Sequence, residues 1–233
     1  SISSVIKYPL YDNGVLYTLC ERILENLDYT DFLHHAACVL SNLAEHVKVK
    51  EFLWERKIVD ALTAMADTFF TIVHVQVARC ICFMSTEVSA VSKKTLGIKA
   101  MQIAIKLVSS DSRQVANDAV TAVGNFSKDA YGQMKVGELH AFEPIVNLVK
   151  CNERGVECNL HACWTLSRLV IPEENKPFCN MNSSLLPCLI NLCSAKSEAG
   201  CLFASMALCN VSACKATHSQ VLSSGGVTVL LSL

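Results

Sequence analysis

One short pattern returns five times along the chain, and it restricts the fold more than any other feature. The copies read Cys38-Val-Leu-Ser-Asn42-Leu-Ala, Cys80-Ile-Cys-Phe-Met84-Ser-Thr, Thr121-Ala-Val-Gly-Asn125-Phe-Ser, Trp164-Thr-Leu-Ser-Arg168-Leu-Val and Met206-Ala-Leu-Cys-Asn210-Val-Ser. Their central positions, 42, 84, 125, 168 and 210, are spaced by 42, 41, 43 and 42 residues. Self-similarity at a period of about 20–50 residues is the mark of stacked repeats. One such unit cannot bury its apolar faces alone, whereas stacked neighbours share a continuous core.

A second element keeps the same period. It is clearest at Gly226–Leu233, Leu185–Leu192 and Phe142–Val149, with weaker copies at Gly14–Leu19 and Ile58–Met65. Apolar residues at i, i+3, i+4 and i+7 make it an amphipathic helix. A polar break follows it, such as Ser109–Ser112 or Asn152–Gly155, and then comes the helix of the five-fold pattern, for example Gln114–Lys128. A shorter, variable segment leads into each unit, as at Lys48–Trp54 and Ala130–Val136. The spacing predicts one array of about five and a half units over 1–46, 47–88, 89–129, 130–171, 172–212 and an incomplete 213–233.

Composition agrees. Nine Gly and five Pro in 233 residues are too few for a many-turned β protein and point to helices. With 52% hydrophobic and 18% charged residues, the chain is not disordered. A net charge of −1 argues against a general nucleic-acid binder, which carries a basic excess. No uncharged apolar stretch reaches the roughly 18 residues that span a bilayer. The nearest, Ala199–Cys214, is interrupted by Ser205, Asn210 and Ser212. The start, Ser-Ile-Ser-Ser, has no basic signal-peptide region and no initiator Met, so a longer native protein is expected.

Thirteen Cys include no Cys-x-x-Cys pair, and nine fall between Cys151 and Cys214. The simplest reading is buried free thiols acting as small hydrophobes in a reducing compartment. A Cys158/His161/Cys163 metal cluster lacks an evident fourth ligand. Three sequons, at Asn125, Asn182 and Asn210, include two inside apolar helical patterns, where a glycan does not fit. A cytoplasmic or nuclear setting is therefore expected, with no cofactor and no metal.

The Gly-x-Val/Ile start of the second helix and the Ala-x-x-Leu-Ser-Asn-Leu-Ala register at Ala37–Ala44 resemble the armadillo repeat family. The resemblance covers nearly the whole chain. It implies an all-α fold, a right-handed α-solenoid of armadillo-type three-helix repeats. It further implies that the third helix lines a concave surface, where Asn residues hold the backbone of a bound peptide. That role carries over to Asn42, Asn125 and Asn210.

An Asn amide both donates and accepts, so a ladder of them suits an extended backbone. An extended peptide rises about 3.3 Å per residue, and helices pack about 8–10 Å apart, so one repeat meets about three peptide residues. The competing reading is structural: each Asn bonds the neighbouring repeat's backbone. Trp164 lies one turn before Arg168 and faces the same way. The pair resembles the Trp-x-x-x-Asn pair of importin-α, with Arg for Asn. That family repeats the Trp, and here Cys38, Cys80, Thr121 and Met206 replace it, which argues against a nuclear-localisation-signal receptor. Arg168 suits a carboxylate or phosphate better than a Lys-rich peptide. His161 extends the stripe by one more turn, and His35 holds the corresponding place before Asn42.

Residues 21–67 hold nine acids against five bases, and residues 89–150 hold eight bases against five acids. The plain account is solvated faces; the sharper one is a basic middle that guides an acidic partner. No nucleophile elbow, P-loop, dinucleotide fingerprint or zinc-protease helix is present. The His34/Cys38 pair sits at a recurring helix position and reads as architecture. The chain is thus expected to be no enzyme but an interaction scaffold. It would bind a protein or extended peptide, an acidic one included, through Asn42, Asn125, His161, Trp164, Arg168 and Asn210. A regulatory segment of a longer enzyme is a second reading. A subunit assembled through its apolar C-terminal end is a third.

Overall fold

The computed structural model describes residues 14–46, 49, 51–86, 95–150, 156–177, 183–193, 198–213 and 215–232. The helices are α1 Val15–Glu25, α2 Thr30–Ala44, α3 Arg56–Asp67, α4 Thr71–Ser85, α5 Leu96–Val108, α6 Arg113–Phe126, α7 Ala130–Glu138, α8 Phe142–Lys150, α9 Val156–Leu169, α10 Leu185–Cys193, α11 Glu198–Ser212, α12 His218–Ser223 and α13 Gly226–Ser232. Single 3-10 turns occupy Glu51–Leu53, Glu173–Asn175 and Lys215–Thr217. No strand occurs among the described residues.

The local chemistry explains several boundaries. Pro144 and Pro187 lie in the first turns of α8 and α10, where no intrahelical N–H partner is lost. Asp129 caps α7, its side chain accepting from the Gly132 N–H at 2.8 Å. The chain enters the second helix of three repeats with positive φ, at Gly14, His140 and Gly225. Glycine adopts that backbone without strain, which accounts for the Gly at the start of this helix in the sequence pattern. His140 holds it at φ 60, its N–H donating to the Gly137 carbonyl at 2.9 Å.

Two compact units divide the chain, Ser1–Ala122 and Val123–Leu233. In the first, second helices pack on second helices (α1 on α3, α3 on α5), and the third helix α2 packs on the third helix α4. Leu16, Ile23, Leu33, Leu40, Leu43, Ile58, Leu62, Met65, Ile81 and Met84 are fully buried between them. Removing one such side chain leaves a cavity worth about 2–5 kcal/mol. In the second unit the pattern repeats: α8 packs on α10, α10 on α13, and α9 on α11. Its core includes Val136, Ile145, Val146, Leu166, Leu169, Leu185, Leu189 and Leu208.

Charge follows the stacking in the first unit. Lys57 on α3 pairs with Glu21 on α1 at 2.8 Å, and Arg79 on α4 with Glu45 at 3.5 Å. Lys99 and Lys106 on α5 pair with Asp60 and Asp67 on α3, each at 2.5 Å. Tyr17 donates to the Glu55 carboxylate. The acid-rich and base-rich stretches therefore meet as pairs between repeats. Lys99 and Lys106 are engaged there, and these pairs lend no support to an acidic partner drawn to the basic middle. Exposed pairs of this kind contribute about 0–1 kcal/mol each.

Candidate functional site

The five pattern positions all fall near the C-terminal ends of third helices. Asn42 is half-buried on α2 of the first unit. Met84, in the same register on α4, is buried, with Cys80 Sγ 3.9 Å from its sulfur. The remaining candidates, Asn125, His161, Trp164, Arg168 and Asn210, belong to the second unit, and all five are half-buried.

Within that unit the row is wired together. The Arg168 guanidinium lies 4.3 Å from the centroid of the Trp164 ring. This is the i, i+4 relation of one helix face, closed as a cation–π contact. One Arg168 N–H points at the Ser127 carbonyl, 3.5 Å away, where α6 ends. The partial negative charge of a helix C-terminus favours a cation there. Burial pulls the Arg168 guanidinium below its ordinary pKa. The benzo edge of Trp164 rests on Gly124: a Cβ there would lie 2.3 Å from Cζ3 and 2.6 Å from the Thr165 hydroxyl. Gly124 is thus the seat that admits the indole. One repeat on, the Asn210 amide donates to the Ser167 carbonyl at 3.2 Å. At Asn210, then, the amide bonds the backbone of the preceding repeat. Its own carbonyl accepts from the buried Lys176 ammonium at 2.8 Å.

Sequence reasoning missed Gly124, Lys176 and a polar position with a period of its own. The Gln133 amide donates to the Ser127 carbonyl at 3.2 Å, Asn175 to Leu169 at 2.8 Å, and Thr217 to Val211 at 2.5 Å. Each acceptor lies six residues earlier, at the end of a third helix. Asn175 also donates to the Gln133 carbonyl at 2.9 Å, joining two repeats. The signal was in the sequence: 133, 175 and 217 are spaced by 42, but inside segments that otherwise vary.

Armadillo-type solenoid structures align with this chain over nearly its whole length. A computationally designed armadillo repeat protein for modular peptide recognition matches with a TM-score of 0.79 at 20% identity, covering 94% of this chain and 91% of its own. A designed armadillo repeat protein in complex with the peptide (KR)4 matches with a TM-score of 0.77 at 21% identity, with the same coverage. The fold is that of the armadillo repeat. An engineered protein matches with a TM-score of 0.75 at 19% identity, covering 92% of this chain and 90% of its own. No protein-family model matches the sequence, and no curated protein does. In armadillo terms, α2, α4, α6, α9 and α11 are third helices, and the candidate row lies on them.

Other chemistry is weakly provided for. His34 Nε2 lies 3.7 Å from Cys38 Sγ, but burial pushes that thiol up despite Arg79, so it is not primed as a thiolate. Burial likewise pushes Cys20, Cys188 and Cys193 up to about 11 and Cys163 up to about 12. The ten described cysteines are all free. Among the described residues, no group of three His, Cys, Asp or Glu could hold a metal ion; Cys158, His161 and Cys163 form no such group. No described helix is long and apolar enough to cross a membrane.

Proposed function

We propose that this armadillo protein is a non-catalytic scaffold whose third-helix surface binds an extended peptide segment of a partner protein. The observation that carries the reading is the row in the second unit. There Trp164 and Arg168 stack on each other, and consecutive third helices are linked by Arg168 to Ser127 and by Asn210 to Ser167. Such a row offers half-buried aromatic, cationic and amide groups at the repeat period. Designed proteins of this fold, made for modular peptide recognition, add support. Asn42 holds the equivalent register position in the first unit. His161 extends the second unit's row by one turn. A cytoplasmic or nuclear setting belongs to the same reading.

The test is selection from a displayed library of extended peptides. Wild type is compared with a variant carrying Asn125→Ala, Trp164→Ala, Arg168→Ala and Asn210→Ala. Wild type should enrich a defined peptide set, and the variant should lose it while keeping its far-UV circular dichroism. Equal enrichment by both would move binding off this row.

Assembly through the C-terminal end is a second reading. It draws on the exposed Leu222, Val227 and Leu231 of α12 and α13. A chain that stays monomeric in analytical ultracentrifugation at high concentration would count against it.

A further inference from the structure

We infer that Trp164 and Arg168 form an anion-selective subsite, which takes the carboxylate of an Asp or Glu side chain in the bound peptide. The inference rests on the peptide-binding reading and specifies its chemistry.

An indole face attracts a cation. In this protein that cation is already present: the guanidinium sits 4.3 Å from the ring centroid. The indole is held from below as well, since its benzo edge leaves no room for a Cβ at Gly124. A peptide Lys or Arg would have to displace Arg168 and would meet its charge. The aromatic that could have selected a basic residue instead holds an arginine in one orientation.

Beyond the Trp164 ring, Arg168 has one weak polar partner among the described residues, the Ser127 carbonyl at 3.5 Å, and no ion pair. Among the other described arginines, Arg22, Arg56 and Arg79 each lie within 4 Å of a carboxylate, and Arg113 does not. Arg168 is also half-buried, and burial lowers its pKa, so its charge is only partly solvated. Its planar fork has further N–H donors beyond the one aimed at Ser127. A fixed, partly desolvated fork without a counter-charge matches a carboxylate, which accepts two parallel hydrogen bonds.

The test uses the full chain in a Trp54→Phe background, so that Trp164 is the single reporter. Capped peptides in which Ala alternates with Glu, with Gln or with Lys are titrated by fluorescence. The Arg168 side-chain resonance is followed by NMR in the protein without further change. The Glu peptide should bind about tenfold tighter than the Gln peptide, as a charge-assisted hydrogen bond allows, and the Lys peptide weakest. Arg168→Gln should erase the Glu preference and leave Gln-peptide affinity within about twofold. The Arg168 resonance should shift with Glu peptide and not with Gln peptide; if it stays silent, the subsite is overturned even where Arg168→Gln fails to fold. Equal binding of all three peptides would overturn the subsite and leave the peptide surface standing. Binding of none would overturn both.

Discussion

Replacing Asn175 by Ala should be among the most damaging single changes in the second unit. The side chain is fully buried and lies between two repeats. Its amide donates at 2.8 Å to the Leu169 carbonyl and at 2.9 Å to the Gln133 carbonyl. Alanine leaves both carbonyls without this donor. The Leu169 carbonyl, at the helix end, is stripped of its donor at about 1–3 kcal/mol; the Gln133 carbonyl keeps the Gly137 N–H within α7, and losing this extra bond adds about 0.5–1.5. One term opposes this: Asn175 Oδ1 is itself buried without a hydrogen-bond partner, and losing it returns about 1 kcal/mol. The expected net loss is about 1–3 kcal/mol. Thr217→Val, which removes the hydroxyl's bond to the Val211 carbonyl at the corresponding position, should lose about 1 kcal/mol. Urea unfolding followed by circular dichroism gives the free energies. Amide exchange of residues at the end of α9 gives a local reading that does not depend on two-state behaviour. If Asn175→Ala stays within about 0.5 kcal/mol of wild type, with unchanged exchange there, the reasoning fails, because the carbonyls then have another donor.

Two further outcomes follow from the same geometry. Gly124→Ala should force the Trp164 ring off its seat, since overpacking of about 1–3 kcal/mol outweighs a helix-propensity gain of about 1. Its near-UV circular dichroism and Trp emission should change, and unaltered spectra would show that the ring does not depend on this glycine. His74 donates from Nε2 to the Thr68 carbonyl at 2.8 Å, and its pKa is lowered first by burial and then by Lys106, against that hydrogen bond. The unfolded chain therefore binds the proton more readily than the folded one. Stability should fall as pH drops below about 6.5, through the window down to the depressed folded value. Subtracting the same curve for His74→Gln isolates this contribution, and a difference flat with pH would refute it.

The fold was readable because period and amphipathicity act over the whole chain. Every second and third helix repeats its apolar spacing, and the core needs only that. The pairing of Trp164 with Arg168 was readable too, because i, i+4 neighbours share a helix face. The reach of Asn210 to Ser167 matches the competing structural reading of the Asn ladder, but the sequence alone could not choose between that bond and an amide facing solvent. Gly124 was hidden for a different reason. Its importance lies in what presses on it from α9, and no property of α6 alone carries that. The uneven charge was visible, but its meaning depended on which helix faces which. Lys99 and Lys106 find acids 39 residues earlier, a partner that composition cannot name.

The side chains at 133, 175 and 217 also bear on where this chain can be cut or lengthened. Each closes the end of one third helix from within the segment that opens the next repeat. Shortening the array just after Ser127, Leu169 or Val211 would remove the group that covers the final carbonyl. A trimmed version should instead retain the following segment through Gln133, Asn175 or Thr217. The exchangeable module is therefore offset from the sequence repeat: it begins after one clasp and ends with the next.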